Sequence, residues 1–187
     1  MRKIIAALNM TLDGVCDHNA GLPDEEIHQH YTELLGQGDI ILYGRTTYQL
    51  MEFWRTILEN PSEQKTMNDF AVAIDKIQKI VFSHTLDATD WSSATIAKRD
   101  LKSEVLAVKQ QTGKDIFVGS RSLIIQLLNL NLIDEFQLCI YPMVEGKGLA
   151  FFEGISDRII FNLVKTKIFK NGSLLLYYQW KNDHPPT

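Results

Sequence analysis

The sequence has few of the features that mark secreted, membrane-bound or nucleic-acid-binding proteins. Its only cysteines, Cys16 and Cys139, are too few for a disulfide framework or a cysteine-based metal site. No apolar run approaches the roughly 20 residues that a spanning helix needs, and the N-terminal apolar run is too short for a signal peptide. The formal net charge of -4 disfavours nucleic acid, because a phosphate backbone requires a basic surface. We therefore expect a cytoplasmic protein that acts on a small molecule.

The sequence also lacks a segment rich in proline, glycine or serine that would separate two domains. Its composition, 45% hydrophobic and 22% charged residues, is that of a folded globular protein rather than a disordered one. A chain of 187 residues can bury a substantial core as one unit. We expect a single domain over residues 1–187, with a loose tail at residues 183–187.

Strand and helix patterns alternate along most of the chain. Apolar segments typical of buried strands alternate with helical apolar spacing as far as Leu132. After Leu132 strands follow one another directly, at Phe136–Tyr141, at Phe151-Phe152 and on both sides of the hairpin sequence Asn171-Gly172. The pattern predicts a βαβ-type front that continues into an antiparallel end of the same sheet. The predicted strands of the front are residues 3–9, 39–43, 79–82, 93–97 and 116–118.

A glycine followed by hydroxyl and guanidinium side chains ends several of these strands. Val118 is followed by Gly119, Ser120, Arg121 and Ser122, and a helical pattern begins at Leu123. A strand that turns abruptly into a helix aims free backbone N–H groups at an anion, and arginine suits phosphate. The alternative is an ordinary strand–helix corner in which a serine caps the helix.

The same arrangement recurs at Gly44, Arg45, Thr46 and Thr47. Parallel strands place such corners at one carboxyl edge, where α/β proteins bind ligands. The third strand likewise ends in small polar residues, at residues 83–85. These corners together predict a nucleotide site. Metal binding is not expected, because His28 and His30 would point to opposite sides of a helix.

The chain resembles the dihydrofolate reductase superfamily, most closely the reductase domain of the riboflavin-biosynthesis deaminase-reductase and its stand-alone relatives. The resemblance covers about residues 2–180. Five short motifs carry the resemblance, in the same order and at the same spacing as in the family, although each motif alone is a weak match. These are residues 11–14 (TLDG), 44–48 (GRTTY), 79–86 (KIVFSHTL), 119–123 (GSxxL) and 132–152, which holds LIDE, YP, GKG and FF.

The resemblance implies a three-layer αβα sandwich whose central, mostly parallel sheet ends in an antiparallel C-terminal hairpin. It also implies NADPH across the carboxyl ends of the strands. Cofactor-binding positions carried over from the family are Ala7, Gly14, Gly44, Arg45, Thr46, Thr47, Ser83, His84, Thr85, Val118, Gly119, Ser120, Arg121, Ser122 and Leu123. The two arginines favour NADPH over NADH, because guanidinium suits a 2′-phosphate.

Two carboxylates are candidates for contact with substrate. Asp13 follows the first strand beside the implied nicotinamide position, although an Asp-Gly turn residue can equally bond its own backbone. Glu25, two residues after Pro23, could match the carboxylate that dihydrofolate reductases carry in their first helix, or it could simply complement the helix dipole. The function implied is hydride transfer from NADPH to a small heterocycle by a homodimer. The alternatives are a non-catalytic dimeric module that binds a nucleotide or pterin, and a flavin-using oxidoreductase.

Overall fold

The computed structural model describes residues 2–180, so the expected loose tail at residues 183–187 lies outside the described residues. Within that range the strands are β1 Ile4–Thr11, β2 Gly38–Gly44, β3 Gln78–Phe82, β4 Ala94–Ile96, β5 Asp115–Val118, β6 Glu135–Tyr141, β7 Phe161–Ile168 and β8 Leu174–Trp180. The helices are α1 Glu25–Leu35, α2 Arg45–Met51, α3 Phe53–Glu59, α4 Lys65–Lys76, α5 Leu101–Lys109 and α6 Arg121–Asn129. None of these helices is long and apolar enough to cross a membrane.

All eight described strands form one sheet in the order β4-β3-β2-β5-β1-β6-β8-β7. The first six strands of that order pair in parallel. β8 then pairs antiparallel with both β6 and β7, and the β7–β8 turn contains Asn171 and Gly172. Gly172 has φ +84°, a conformation that favours glycine in tight turns. The predicted mixed sheet with an antiparallel end is therefore confirmed.

Alternate residues of the central strands face two separate cores. Ile4, Leu42 and Ile116 pack with the apolar faces of α5 and α6. Ile5 and Phe117 point the other way, toward α1 and α4. Because side chains alternate along a strand, this division places helices on both faces of the sheet. The result is the predicted three-layer sandwich.

Three local predictions differ from the structure. The sequence predicts one helix that carries Tyr48, Met51 and Phe53 and a polar loop from residue 55, but residues 53–59 form a separate short helix, α3. The sequence also predicts that the helix capped by Asp100 ends at Gly113, whereas α5 ends at Lys109. Phe151-Phe152, predicted as a strand, lies in a turn. Phe151 is buried, and its ring stacks on that of Phe136 with centroids 5.8 Å apart. Phe151 and Phe152 therefore pack at one end of the core instead of pairing in the sheet.

A lysine lies fully buried in β3. Lys79 Nζ donates hydrogen bonds to Ile77 O at 2.9 Å, Ser93 Oγ at 2.8 Å and Asp75 O at 3.2 Å, and it lies 3.9 Å from the ring centroid of Trp91. Burial lowers the pKa of Lys79 from 10.5 to about 8, with Asp75 opposing the change. These contacts join β3 to the segment before β4, which completes the last parallel strand of the sheet.

Lys79 makes the stability of the protein depend on pH. Below about pH 8 the amine is charged in both states, and the folded state bears the full cost of burying the charge. As the pH rises from about 8 to 10.5 the folded protein loses this proton first, so stability rises. We expect the unfolding free energy of wild type to rise relative to that of Lys79→Met by about 2.5 kcal/mol between about pH 7 and pH 10. Denaturant titrations at both pH values measure it.

The exposed neighbour Lys76 supplies the matched control. Lys76→Met should show no such pH-dependent difference, because that side chain is exposed. A difference for Lys79→Met that stays constant with pH would contradict this account of the buried amine.

Candidate functional site

A groove of about 630 Å³ runs along the carboxyl ends of β2, β3 and β4 and the start of α6. The corner after β2 contributes Gly44, Arg45, Thr46 and Thr47 to its lining. The later corners contribute residues 82–84, residues 97–101 and a surface of α6. The structure therefore brings three of the sequence-predicted corners, and a fourth, to one continuous surface.

A hydrogen bond joins the corners after β2 and β5. Ser120 Oγ accepts from the backbone N–H of Gly44 at 2.9 Å, and Ser120 is 1% exposed. A side chain at Gly44 would begin 3.3 Å from Ser122 Oγ, so glycine lets the two corners approach closely. Ser120 was expected to bind phosphate or to cap α6. Its hydroxyl makes no cap hydrogen bond, which corrects the second expectation, and Ser120 is not among the residues that line the groove. Ser122 and Leu123, two and three residues after Ser120, do line the groove.

A second contact joins the corners after β2 and β3. Arg45 Nη1 donates to Thr85 Oγ1 at 2.8 Å, while the Arg45 side chain remains exposed. Ser83 Oγ accepts from the N–H groups of Thr85 and Leu86 at 3.1 and 3.0 Å, which fixes the turn that carries His84. Ser83 and His84 line the groove, whereas Thr85 does not line it and instead accepts the hydrogen bond from Arg45.

The groove carries an excess of positive charge, of which only Arg45 was predicted from the sequence. Lys98 and Arg99 line it beside Arg45, against one lining carboxylate, Asp100. Asp100 already accepts from the N–H of Ser103 at 3.0 Å as the cap of α5. From the sequence, Asp100 is expected only to cap the helix that begins at Leu101, and its basic neighbours are not predicted to bind a ligand. Their position directly after a predicted parallel strand is the pattern that could have identified them.

Arg121 does not point into the groove. Its Nε donates to Ala150 O and its Nη2 to Glu153 O, both at 2.7 Å, so the guanidinium holds the segment before β7. This corrects the expectation that Arg121 presents its guanidinium to a phosphate. The sequence pattern matched that of Arg45, but the long-range partners of Arg121 lie in a loop whose position the sequence does not reveal.

The remaining predicted cofactor positions lie at or behind the same edge. Val118 is buried in the sheet, where it pairs with Ala6 and Leu42. A side chain at Gly119 would begin 3.3 Å from the ring of Tyr43, so its close approach is to the core rather than to a ligand.

Ala7 and Gly14 lie on β1 and in the loop that follows it, not in the groove lining. Gly14 has φ +80°, and its carbonyl accepts from the N–H of Phe151 at 2.8 Å. Both positions lie on the side of the carboxyl edge away from β3 and β4.

Asp13 fastens two loops to each other. Its Oδ1 accepts from Thr11 Oγ1 at 2.5 Å and from the N–H of Glu145 at 3.1 Å, and its Oδ2 accepts from the N–H of Gly146 at 2.7 Å. The Thr11 hydroxyl, followed by the two amides, lowers the pKa of Asp13 to about 2. A carboxylate so occupied is ionised and engaged at neutral pH, and its contact with a substrate stays a prediction.

Glu25 is exposed in the first turn of α1, and its carboxylate makes no hydrogen bond or ion pair with any residue of the described chain. Its neighbours have the specific contacts. Asp24 caps α1 by accepting from the N–H of Ile27 at 2.9 Å, and Glu26 accepts from the N–H of Lys170 at 2.9 Å. The structure supports the helix-dipole role of Glu25 and assigns it no position in the groove.

The fold and this groove define an α/β protein with a basic cleft across the carboxyl ends of parallel strands. The sequence profile of the family described as the RibD C-terminal domain matches residues 2–175, and the chain belongs to that family. It is 34% identical over 183 residues to the uncharacterized protein YyaP of Bacillus subtilis (strain 168), covering 96% of this chain and 95% of YyaP.

Two solved structures share the fold. One is described as a riboflavin biosynthesis protein from Shewanella sp. PV-4, with a TM-score of 0.72, 17% identity and coverage of 97% of this chain and 99% of that one. The other is the diaminohydroxyphosphoribosylaminopyrimidine deaminase/5-amino-6-(5-phosphoribosylamino)uracil reductase of Thermotoga maritima, with a TM-score of 0.67 and 16% identity. The match covers 96% of this chain and 57% of that bifunctional protein.

Replacing Asp13 should loosen the loop that it fastens. In Asp13→Asn we expect amide exchange at Glu145 and Gly146 to accelerate about tenfold or more, because their charged acceptor becomes a neutral one. In wild type the protection should persist as the pH falls through 4 and be lost near the pKa of about 2. Hydrogen exchange measured by NMR follows both effects.

The control is Asp87→Asn, which removes an exposed carboxylate from another loop. This variant should leave exchange at Glu145 and Gly146 unchanged. Equal protection of these two amides in Asp13→Asn and in wild type would show that the carboxylate does not hold the loop.

Proposed function

We propose that this protein is an NADPH-dependent reductase that transfers hydride to a small heterocyclic substrate. The observation that carries the proposal is the groove itself, in which Arg45, Lys98 and Arg99 accompany the start of α6 at the carboxyl ends of parallel strands. Ligands of open α/β sheets bind at this edge. The reductase activity named for the Thermotoga maritima relative supports the class of reaction.

The residues of the groove suit a phosphorylated dinucleotide. Arg45 has an exposed guanidinium anchored at one end by Thr85, which leaves further donors for a phosphate. Ser122 and Leu123 stand in the first turn of α6, whose N–H groups have no acceptor within the helix. Lys98 and Arg99 add charge that a 2′-phosphate would neutralise. These residues would hold the two phosphate-bearing parts of NADPH.

The chemistry asks little more of the protein than binding and orientation. NADPH supplies the hydride when it is bound, and the protein contributes position and electrostatics. Asp13 is already ionised and engaged with two loops, so we assign the proton that a reduced substrate needs to water rather than to this carboxylate. The loop held by Asp13 would border the substrate beside β1.

Fluorescence titration with NADPH tests the cofactor assignment. Wild type should bind NADPH at least about tenfold more tightly than NADH, because only NADPH carries the phosphate that the cations meet. Arg45→Ala should weaken NADPH binding by about 10- to 100-fold, the loss of a charge-assisted hydrogen bond.

Arg121→Ala is the matched control, because that arginine bonds the loop of Ala150 and Glu153 instead of lining the groove. It should weaken NADPH binding much less than Arg45→Ala does. Unchanged NADPH fluorescence with wild type, or equal losses in the two variants, would contradict the proposed site.

The non-catalytic binding module would use the same groove and differ only in turnover. A screen of pyrimidine and pterin substrates for NADPH oxidation separates the two functions. Oxidation that depends on both substrate and Arg45 identifies a reductase. Tight NADPH binding without oxidation by any substrate of these classes favours the module.

We also propose a homodimer. From the sequence we expect it to form through the antiparallel C-terminal part of the sheet, whose apolar and aromatic residues exceed what one side of the sheet needs (Phe136, Leu138, Tyr141, Tyr177, Tyr178 and Trp180). Phe136, Leu138 and Tyr141 are buried within the chain, so they are not available to a partner. The exposed apolar side chains of this region lie on the edge strand β7, where Leu163 is 52% and Ile168 is 73% exposed. An exposed apolar edge strand favours pairing with a second copy.

Light scattering after gel filtration tests the dimer. Wild type should have twice the 21.4 kDa mass of the chain, and the double variant Leu163→Lys/Ile168→Lys should have the mass of a single chain. Val72→Lys/Leu106→Lys, which changes two exposed apolar residues on helices, should remain dimeric. A wild-type protein that elutes with the mass of one chain would exclude the dimer.

A further inference from the structure

The central strand β1 is partly exposed in the middle of its length. Residues 4–6 and 10–11 of this strand are buried, whereas residues 7–9 are only partly buried. The neighbouring strand β5 ends at Val118, which pairs with Ala6, so no described strand pairs with β1 on that side from residue 7 onward. Central strands of a parallel sheet are normally covered on both faces. The partly buried stretch therefore marks an opening at the carboxyl edge of the sheet.

The helices on one face of the sheet leave a gap above this opening. α1 packs closely against α4, and α4 packs against α3, but no such close packing joins α1 to α2 or α3 within the described chain. The rings of His28 on α1 and Trp54 on α3 meet edge to face, with centroids 5.7 Å apart. Tyr31 of α1, Met51 of α2 and Trp54 are only partly buried on this face, as is Ala7 of β1. A flat ring that enters from the carboxyl edge would thus lie over the small side chain of Ala7.

Two phenols hold a side-chain amide at this opening. Tyr31 Oη donates to Asn9 Oδ1, and Asn9 Nδ2 donates to Tyr141 Oη at 3.0 Å. Burial raises the pKa of both tyrosines above their ordinary value of 10, so both hydroxyls keep their protons at neutral pH. Tyr141 is 1% exposed, and a side chain at Gly21 would begin 2.7 Å from its ring, so the loop before α1 packs on it. The Asn9 amide is therefore fixed from two sides.

The Asn9 amide retains hydrogen-bonding capacity. An asparagine side chain has two N–H donors and two acceptor positions, and the two phenols use one of each. Exchanging the amide oxygen and nitrogen would leave the same remainder, because a phenol can donate or accept. The Asn9 side chain makes no other hydrogen bond within residues 2–180, and the residue is only partly buried. One N–H and one acceptor position therefore remain for a ligand.

We propose that Asn9 determines the substrate specificity of the reductase by binding a ring in which an N–H donor stands next to a carbonyl acceptor. This inference rests on the proposed function, since it concerns the substrate that lies beside β1. The ring N–H donates to Asn9 Oδ1, and the ring carbonyl accepts from Asn9 Nδ2. The surrounding side chains, those of Ala7, Tyr31, Met51 and Trp54, are uncharged, which favours a neutral ring. A site built to bond a ring N–H rejects an analogue without it, because the amide is then left unpaired.

Lumazine, a neutral pteridinedione with this ring edge, is a suitable probe, and NMR of the isotope-labelled chain follows its binding. The titration is made without NADPH, so its result does not depend on the cofactor groove. Lumazine should give a saturable shift of the Asn9 side-chain amide. Dimethyllumazine, methylated at both nitrogens of the pyrimidine ring, has the same ring system without an N–H donor. It should bind about tenfold more weakly or not at all.

Asn9→Leu keeps the size of the side chain and removes its hydrogen bonds. This variant should bind lumazine and dimethyllumazine about equally, a loss of preference that a merely structural role of Asn9 would not produce. Gln111→Leu, which removes an exposed amide after the end of α5, should keep the preference. If Asn9→Leu does not fold, Tyr31→Phe provides the test, because it removes one hydroxyl that holds the amide. It should lower the preference by about threefold.

The proposal is wrong if lumazine leaves the Asn9 amide unshifted or if both ligands bind equally well to wild type. It is also wrong if Asn9→Leu keeps the preference or, should that variant not fold, if Tyr31→Phe keeps it. Lumazine binding as expected in a protein that does not bind NADPH would contradict the proposed reductase and not the role of Asn9 in ring recognition. NADPH binding without an Asn9 response to lumazine would overturn the role of Asn9 alone.

Discussion

The hydrogen bond from the Gly44 N–H to Ser120 Oγ is the contact on which the candidate site depends. It ties the corner after β2 to the corner after β5, two segments that are distant in sequence and adjacent in the sheet. A Cβ at position 44 would stand 3.3 Å from Ser122 Oγ, so any side chain there would require the serine hydroxyl to shift by a few tenths of an ångström. The groove keeps its shape through this junction, and Arg45 and the start of α6 face the same space as a result.

The loops at the carboxyl edge of the sheet differ on its two sides. On the side of β2, β3 and β4 the corners are short and leave an open basic groove. On the side of β1 and β6 two loops are fastened to each other, through Asp13 to residues 145–146 and through Asp17 to the N–H of Leu149 at 2.8 Å. Arg121 links the two sides, because it begins α6 and bonds the carbonyl groups of Ala150 and Glu153. A cofactor in the groove and a substrate beside β1 would thus share one rigid frame.

Features of the site that depend on local sequence could be predicted, and features that depend on distant partners could not. The corner at Gly44 and Arg45 follows from a buried strand that ends in a glycine, and parallel pairing then fixes its edge. The same pattern misled at Arg121 and Ser120, whose side chains bond residues 29 and 76 positions away. Local spacing contains no information about such partners.

Buried polar residues are a second feature that could not be predicted from the sequence. Gln137 lies in an apolar strand pattern, and nothing in the sequence shows that it is buried with its amide donating to Glu135 Oε1 at 2.7 Å. Lys79 likewise resembles an exposed strand residue, yet it is fully buried beneath Trp91. Whether such a residue is satisfied depends on the strands and helices that pack against it, and these are known only once the chain is folded.

A crystal structure of the protein soaked with NADPH tests the central claim most directly. The account predicts that the phosphate groups lie against Gly44–Thr47, Ser122 and the cations Lys98 and Arg99, with the nicotinamide toward β1 and the loop of Gly14. NADPH bound elsewhere, or a groove that remains empty at saturating NADPH, would contradict it.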